Sequence, residues 1–151
     1  MEKETKQKPG AGVGVIILKN NKILLGKRHS DPEKADCELH GEGTWTMPGG
    51  KLHFQEDIKE CAKREVFEET GIKINISNLD LVSVSNDIVF DNHFITIGFL
   101  CTDFEGEPKV MEPDEITEWR WFDLDNLPEP IFFPSKRILK NYLAKKIYQD
   151  N

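Results

Sequence analysis

The 151-residue chain has no apolar run long enough to cross a membrane and no signal-peptide pattern, since its opening, MEKETKQKPG, is polar. No membrane association is expected, and a cytoplasmic protein is the default. Cysteine is scarce: Cys37, Cys61 and Cys101 are odd in number and far apart, which argues against a disulfide framework and fits a reducing compartment. Cys37 and His40 have a metal-like spacing, but two ligands in a polar loop do not make a structural zinc site. Basic charge is also in deficit, with 20 Lys and Arg against 27 Asp and Glu and a formal net charge of -7. No basic path exists to hold an extended nucleic acid, whereas a small anionic ligand bridged by metal remains compatible. There is no internal repeat and no low-complexity segment. The length predicts one domain over residues 10–148, between a flexible tail at 1–9 and a short tail at 149–151.

What the chain does have is concentrated in residues 50–72, GKLHFQEDIKECAKREVFEETGI. A glycine loop runs into a charged helix about four turns long. Asp57 followed by Glu60 has capping-box spacing at its start, and Thr70-Gly71 supplies a C-cap. Ile58, Cys61, Ala62 and Val66 share the face that should be buried, yet Glu65 and Glu69 fall on it and Glu68 lies at its edge. Burying unpaired carboxylates is costly, neighbouring like charges repel, and acids in the last turns oppose the helix dipole. One reading is a surface helix whose acids are solvated or paired with Arg64 or Lys63. The other is a cage of hard oxygen ligands for Mg2+ or Mn2+ and a phosphate-bearing substrate. Three local rules broken together favour the cage.

The flanking chain alternates strands and turns. Residues 12–19 and 22–28 read as a hairpin about Asn20-Asn21, and it ends at Arg28, where a guanidinium could reach a phosphate or form a surface salt bridge. Residues 30–43 form a polar connection, either a rim over a ligand or a plain insertion. Trp45 and Met47 alternate as in a short strand, Pro48 turns the chain, and Gly49 and Gly50 permit close backbone approach. Beyond the helix, Ile72 and Ile74 begin a short extended stretch. Residues 80–90, with an interruption expected at Asn86-Asp87, turn at Asp91-Asn92 into a strand over 93–104, its antiparallel neighbour. An acidic loop over 104–115 offers Glu112, Asp114 and Glu115. In the next strand Trp119 and Trp121 share a face, with core packing favoured over stacking on a base. Ile131, Phe132 and Phe133 are a pocket wall or the lead-in to a final helix from Pro134 to Tyr148. The mixture suggests helices on both faces of a mixed sheet.

Read as spacing, the central stretch is Gly50, five residues, Glu56, seven residues, Arg64-Glu65, Val66, one residue, Glu68-Glu69, one residue, Gly71 and Ile72. This pattern resembles the signature of the Nudix hydrolase family, and the resemblance covers roughly residues 10–148. It implies an α/β fold, an α/β/α sandwich with a mixed central sheet, that hydrolyses a nucleoside diphosphate linked to another moiety with Mg2+ or Mn2+. By the same resemblance Glu65, Glu68 and Glu69 are metal carboxylates, the Gly50 carbonyl is a further ligand, Glu56 supports the metal, and Arg64 orients a glutamate by a salt bridge. Glu115, with Glu112 as runner-up, is the glutamate outside the signature that approaches the metals or serves as base. One segment departs from the pattern: His53-Phe54-Gln55 stands where relatives resemble Glu-x-Gly, so that Gln55 implies a loop with no need of glycine's freedom there.

The chain looks most like the small branch associated with MutT, which releases a nucleoside monophosphate and pyrophosphate from a triphosphate, in some members an oxidised purine nucleotide. Substrate contacts are expected from Arg28, Gly49, Asn86, His93, Phe132 and Phe133. The enzymatic alternative is a pyrophosphatase of ADP-ribose or another nucleoside-diphosphate sugar, and the non-enzymatic one a nucleotide-sensing or interaction domain. The partner expected is a small nucleotide, with the protein a monomer or homodimer.

Overall fold

The computed structural model describes residues 7–34 and 41–150. Cys37 and His40 lie outside them. Strand β1 (Gly10–Lys19) and β2 (Lys22–Arg28) form the expected hairpin. Asn20 and Asn21 both take positive φ, 51° and 62°, the conformation that two-residue hairpin loops require. β1 then pairs in parallel with β7 (Asn92–Cys101), and β7 pairs antiparallel with β6 (Asp80–Val89). With β3 (Trp45–Thr46) outside β2, the order is β3-β2-β1-β7-β6, while β4 (Gly49–Lys51) pairs with β1 and β9 (Ile116–Asp123) with β2. One parallel junction among antiparallel ones makes the sheet mixed. A small two-stranded sheet, β5 (Lys73–Ile74) with β8 (Phe104–Glu105), stands apart.

Alternation along β1 decides which helix goes where. Val13, Val15 and Ile17 point to one face and are buried with Cys61, Ala62 and Val66 of helix α1 (Ile58–Thr70). Ile16 points to the other and is buried with Ile138 and Leu139 of α2 (Phe133–Ala144). The two helices therefore cover opposite faces of the sheet. Trp119 and Trp121 pack against the α1 side, and the Trp119 indole donates to the Glu69 carbonyl at 3.1 Å, so both belong to the core.

Local signals mark both ends of α1. The Asp57 carboxylate accepts from the Lys59 and Glu60 N–H groups, and Gly71 closes the helix at φ 76°, its N–H donating to the Phe67 carbonyl. Four details differ from expectation. Strand β6 runs unbroken through Asn86-Asp87, with its irregularity between Leu81 and Ser83 instead. The hairpin turn falls one residue early, at Phe90-Asp91, with Phe90 at φ 55°. Helix α2 stops at Ala144 because Lys145 turns left-handed at φ 56°, and the following segment lies along β6, where the Val84 N–H donates to the Ile147 carbonyl. Gln149, expected in a tail, donates to the buried Asn141 side chain.

The approach of β4 to β1 leaves no space for a side chain at Gly49. A Cβ there would lie 2.1 Å from the Val13 carbonyl oxygen and 2.8 Å from the Gly14 Cα. Gly49→Ala should therefore destabilise the protein by about 1–3 kcal/mol in urea unfolding, the range for overpacked sites. An unshifted urea midpoint would contradict this packing.

Candidate active site

The carboxylates of α1 are brought together around one guanidinium. Arg64 Nε and Nη2 grip Glu56 at 2.7 and 3.0 Å, Nη1 reaches Glu65 at 2.8 Å and Glu68 at 3.2 Å, and Nη2 also donates to the Lys51 carbonyl at 3.0 Å. The fork geometry explains why arginine is needed, since a lysine could not address so many oxygens in one plane. It holds the Glu56 carboxyl down to a pKa of about 2, helped by the His53 N–H that the same carboxylate accepts, while the Arg64 pKa is raised in turn. The Glu65 carboxylate lies flush on Gly50, where an added Cβ would stand 2.4 Å from its carboxyl carbon. Cys61 Sγ, fully buried, lies 3.6 Å from the Lys51 carbonyl.

Gln55 corrects the reading of the approach loop. Its φ is 65°, so the backbone does adopt the left-handed conformation that glycine supplies elsewhere, and glutamine occupies it regardless. His53 and Phe54 beside it are exposed, Phe54 to 93%.

Glu69 is in a different situation. Its side chain is partly buried, its Oε2 accepts a long bond of 3.3 Å from the Gly49 N–H, and no basic side chain pairs with it among the described residues. Burial raises its pKa well above the ordinary range, and the charges of Glu65, Glu112 and Glu115 push the same way. Desolvation raises Glu65 too, and Glu112 is raised by desolvation and by Glu115, Glu65 and Glu68. Among the described residues no three His, Cys, Asp or Glu side chains are already gathered as a metal cage, because Arg64 sits amid the carboxylates. The donor set is nevertheless all hard oxygen, and Glu69 faces like charges with no counter-charge, so a divalent cation fits these residues.

Sequence-predicted residues separate into those that meet and those that do not. Arg28, Gly49, Gly50, Glu69, Glu115 and Phe132 line one cavity of about 170 Å³. Backbone bonds hold its walls: the His29 N–H donates to the Glu115 carbonyl at 2.7 Å, and the Phe132 N–H donates to the Trp45 carbonyl at 2.8 Å. Arg28 donates to the Gly41 carbonyl at 2.8 Å and stacks 4.6 Å over the Phe132 ring. Glu112 is close enough to perturb Glu69 but does not line this cavity. Asn86 and His93 bond to each other instead, and His93 lines a second, open cavity of about 560 Å³. Phe133 is a correction: it turns outward and carries Arg137 over its ring at 5.8 Å. Sequence reasoning missed Thr46, Met47, Thr96 and Ser135, which join the lining from three places in the chain. No local pattern marks them.

The NUDIX domain family matches residues 8–142. The chain belongs to the Nudix family. It is 36% identical over 138 residues to an ADP-ribose pyrophosphatase of Methanocaldococcus jannaschii, spanning 91% of this chain and 75% of that protein. It is 30% identical to an oxidized purine nucleoside triphosphate hydrolase of Danio rerio, over 76% of this chain and 66% of the relative. The crystal structure of a MutT NUDIX hydrolase from Burkholderia pseudomallei superposes with a TM-score of 0.78 at 33% identity, covering 89% of this chain and 98% of the other. This Nudix chain is accordingly a hydrolase of pyrophosphate bonds, and Nudix hydrolases generally use divalent metal ions. No helix among the described residues is long and apolar enough to cross a membrane.

The shifted carboxylates set a pH signature for the protein in chelator. Because Glu69 binds its proton more tightly folded than unfolded, stability should rise as the pH falls from neutral toward the ordinary carboxylate value of 4.5. The lowered Glu56 acts oppositely and only below that, its contribution being lost between 4.5 and about 2. Glu69→Gln should raise the metal-free Tm at pH 7 by about 2–4 °C or more and flatten the rise on acidification. A Glu69→Gln protein that melts lower than wild type at pH 7 would refute the unpaired-charge account.

Proposed function

We propose that the chain hydrolyses a nucleoside triphosphate to the nucleoside monophosphate and pyrophosphate. The observation that carries this reading is a single cavity whose lining combines the carboxylates of Glu69 and Glu115 with the Phe132 ring. A nucleotide suits both features, since its phosphates can meet carboxylates through a bridging cation and its base is flat and weakly polar. At about 170 Å³ the cavity is small for a ligand pocket and suits one base rather than two nucleoside ends.

Glu65, Glu68, Glu69 and the Gly50 carbonyl would hold Mg2+ or Mn2+, which supplies positive charge against the phosphate oxygens and makes a water more acidic. Arg64 keeps Glu56, Glu65 and Glu68 apart in fixed rotamers, and Glu56 supports the site through that grip. The Phe132 face orients the base, and Arg28, stacked on it, is within the same lining to meet anionic oxygens. A water oxygen forms the new P–O bond, the anhydride P–O bond breaks, and pyrophosphate departs. The proton released passes to a carboxylate, for which Glu115 is placed by its position in the lining. No covalent nucleophile is needed. An oxidised purine nucleotide is one substrate class within this reading, since the Danio rerio relative is named for it.

A second reading, hydrolysis of ADP-ribose or another nucleoside-diphosphate sugar, draws support from the open 560 Å³ cavity, which adjoins the first through Lys51 and Phe94. The Methanocaldococcus jannaschii relative carries that activity in its name. A non-catalytic sensor is disfavoured by the presence of all three signature glutamates on α1.

A Mg2+-dependent screen of unmodified and oxidised nucleoside triphosphates alongside ADP-ribose, with products resolved by chromatography, separates the readings. Pyrophosphate release supports the first, ribose 5-phosphate from ADP-ribose the second, and no turnover of any substrate the third. Glu68→Gln should lower kcat by about 100- to 1,000-fold, the scale for removing one transition-state electrostatic contact. Its far-UV spectrum and Tm should stay unchanged, because the side chain is half exposed. Near wild-type turnover would remove Glu68 from the site. Glu115→Gln should cost less and should shift the acidic limb of the pH–rate profile, and an unmoved profile would reject its role as base.

A further inference from the structure

Behind the cavity, on the α2 side of the sheet, lies a buried carboxylate that hydrolysis does not use. Asp87 on β6 is fully buried. Its Oδ2 accepts from Thr96 Oγ1 at 2.7 Å and from Ser85 Oγ at 3.1 Å. Its Oδ1 has no hydrogen-bond partner, and the nearest cation, Arg137 Nη1, stands 3.8 Å away with its side chain 15% exposed. Carboxylates are seldom buried for packing, and an apolar residue would fill this place at lower cost. Its effect must therefore be sought in what it does to its neighbours.

Thr96 is the neighbour that matters, because it lines the cavity. A hydroxyl has one proton and two lone pairs. The Thr96 proton is committed to Asp87, so toward the cavity Thr96 can only accept. Two other hydroxyls, Thr46 and Ser135, stand in the lining and bond to each other at 3.1 Å, and Thr46 also lies 3.0 Å from the Met47 carbonyl. Ser135 also accepts from the Met47 N–H at 3.1 Å. Thr96 is therefore the hydroxyl whose proton is drawn away from the cavity, leaving a lone pair for whatever enters.

We infer that the Asp87–Thr96 pair gives this cavity an acceptor wall at Thr96 that selects bases presenting an amino group over those presenting a carbonyl in its place. The inference rests on the nucleotide reading above and deepens it. Asp87 is a positioning residue that fixes the direction of the Thr96 proton, and Thr96 contacts the base. A carbonyl brought to Thr96 meets lone pairs and loses the hydrogen bonds it had in water, a larger penalty than a missing favourable contact. Arg137 enforces the arrangement by keeping an acceptor, and not a donor, on its side of the Asp87 carboxylate.

The test compares matched pairs that exchange amino for carbonyl, CTP with UTP and ATP with ITP, by kcat/KM, and the corresponding monophosphates by calorimetry in chelator. The wild-type protein should favour the amino member about tenfold or more in both measurements. Thr96→Val, similar in shape without an acceptor, should bring the ratios close to one, and Thr96→Ser should restore them. Asp87→Asn should go further: its amide nitrogen, repelled by Arg137, turns to Ser85 and Thr96, releases the Thr96 proton into the cavity and reverses the preference. Ratios within about twofold in the wild type, or Thr96→Val retaining the wild-type ratio, would overturn the inference, as would no detectable binding of any monophosphate. A folded Asp87→Asn with unchanged ratios would remove Asp87 from it. Should that variant fail to fold, the two Thr96 variants decide alone. Pyrophosphate release without base discrimination rejects this inference and leaves the proposed reaction standing, whereas discriminating binding without pyrophosphate release does the reverse.

Discussion

Carboxylates crowded onto one helix and its approach loop repel one another, and here the repulsion is divided between a guanidinium and the protein interior. Arg64 takes up Glu56 through Nε and Nη2 and both Glu65 and Glu68 through Nη1. Glu69, one turn beyond Glu65, is left partly buried against the Gly49 N–H, with the charges of Glu65, Glu112 and Glu115 acting on it. An ion pair at this depth adds little stability by itself, since desolvating the partners offsets most of the attraction. What it fixes is position. Through the Lys51 carbonyl Arg64 ties the helix to the β4 strand and the glycine approach, so that the carboxylate oxygens are held in place by protein contacts alone.

Strand β1 divides the labour between the two faces of the sheet. Its valines and Ile17 pack beneath α1 and hold the charged helix at a fixed height. On the other face Gly12 and Gly14 contribute no side chain, and the space they leave becomes cavity floor beside Met47, Thr96 and Ile138. The alternation that builds a core on one side therefore hollows a ligand site on the other.

How legible each part was follows from how local its cause is. The α1 caps, the misplaced acids and the Asn20-Asn21 hairpin are set by residues within a few positions of each other, and all were readable. Gln55 was misread because the left-handed backbone is a property of the loop's path, and residue type is only a weak guide to it. The end of α2 was placed too late because the apolar stripe continues through Ile147, although the backbone has already left the helix at Lys145. The cavity hydroxyls could not be read at all. Thr46 and Ser135 are 89 positions apart, and neither belongs to a motif. Asp87 looked like an interruption in a strand when it is a buried member of one, since an isolated sequence does not tell whether a polar residue faces water or a partner.

The turn at Lys145 has an effect on how this molecule meets its own kind. β6 is the outermost strand on its side of the sheet, with Leu81 and Ile88 exposed, and such a strand is a template on which another chain can add itself. The left-handed residue redirects the chain so that the Ile147 carbonyl takes the Val84 N–H, and Asn141 anchors the same segment through that carbonyl and through Gln149. A foreign strand would have to peel this segment away before it could pair along the middle of β6. The residues that follow α2 thus guard the fold against edge-to-edge aggregation, and trimming them would expose a sheet edge while leaving the acidic cluster on α1 intact.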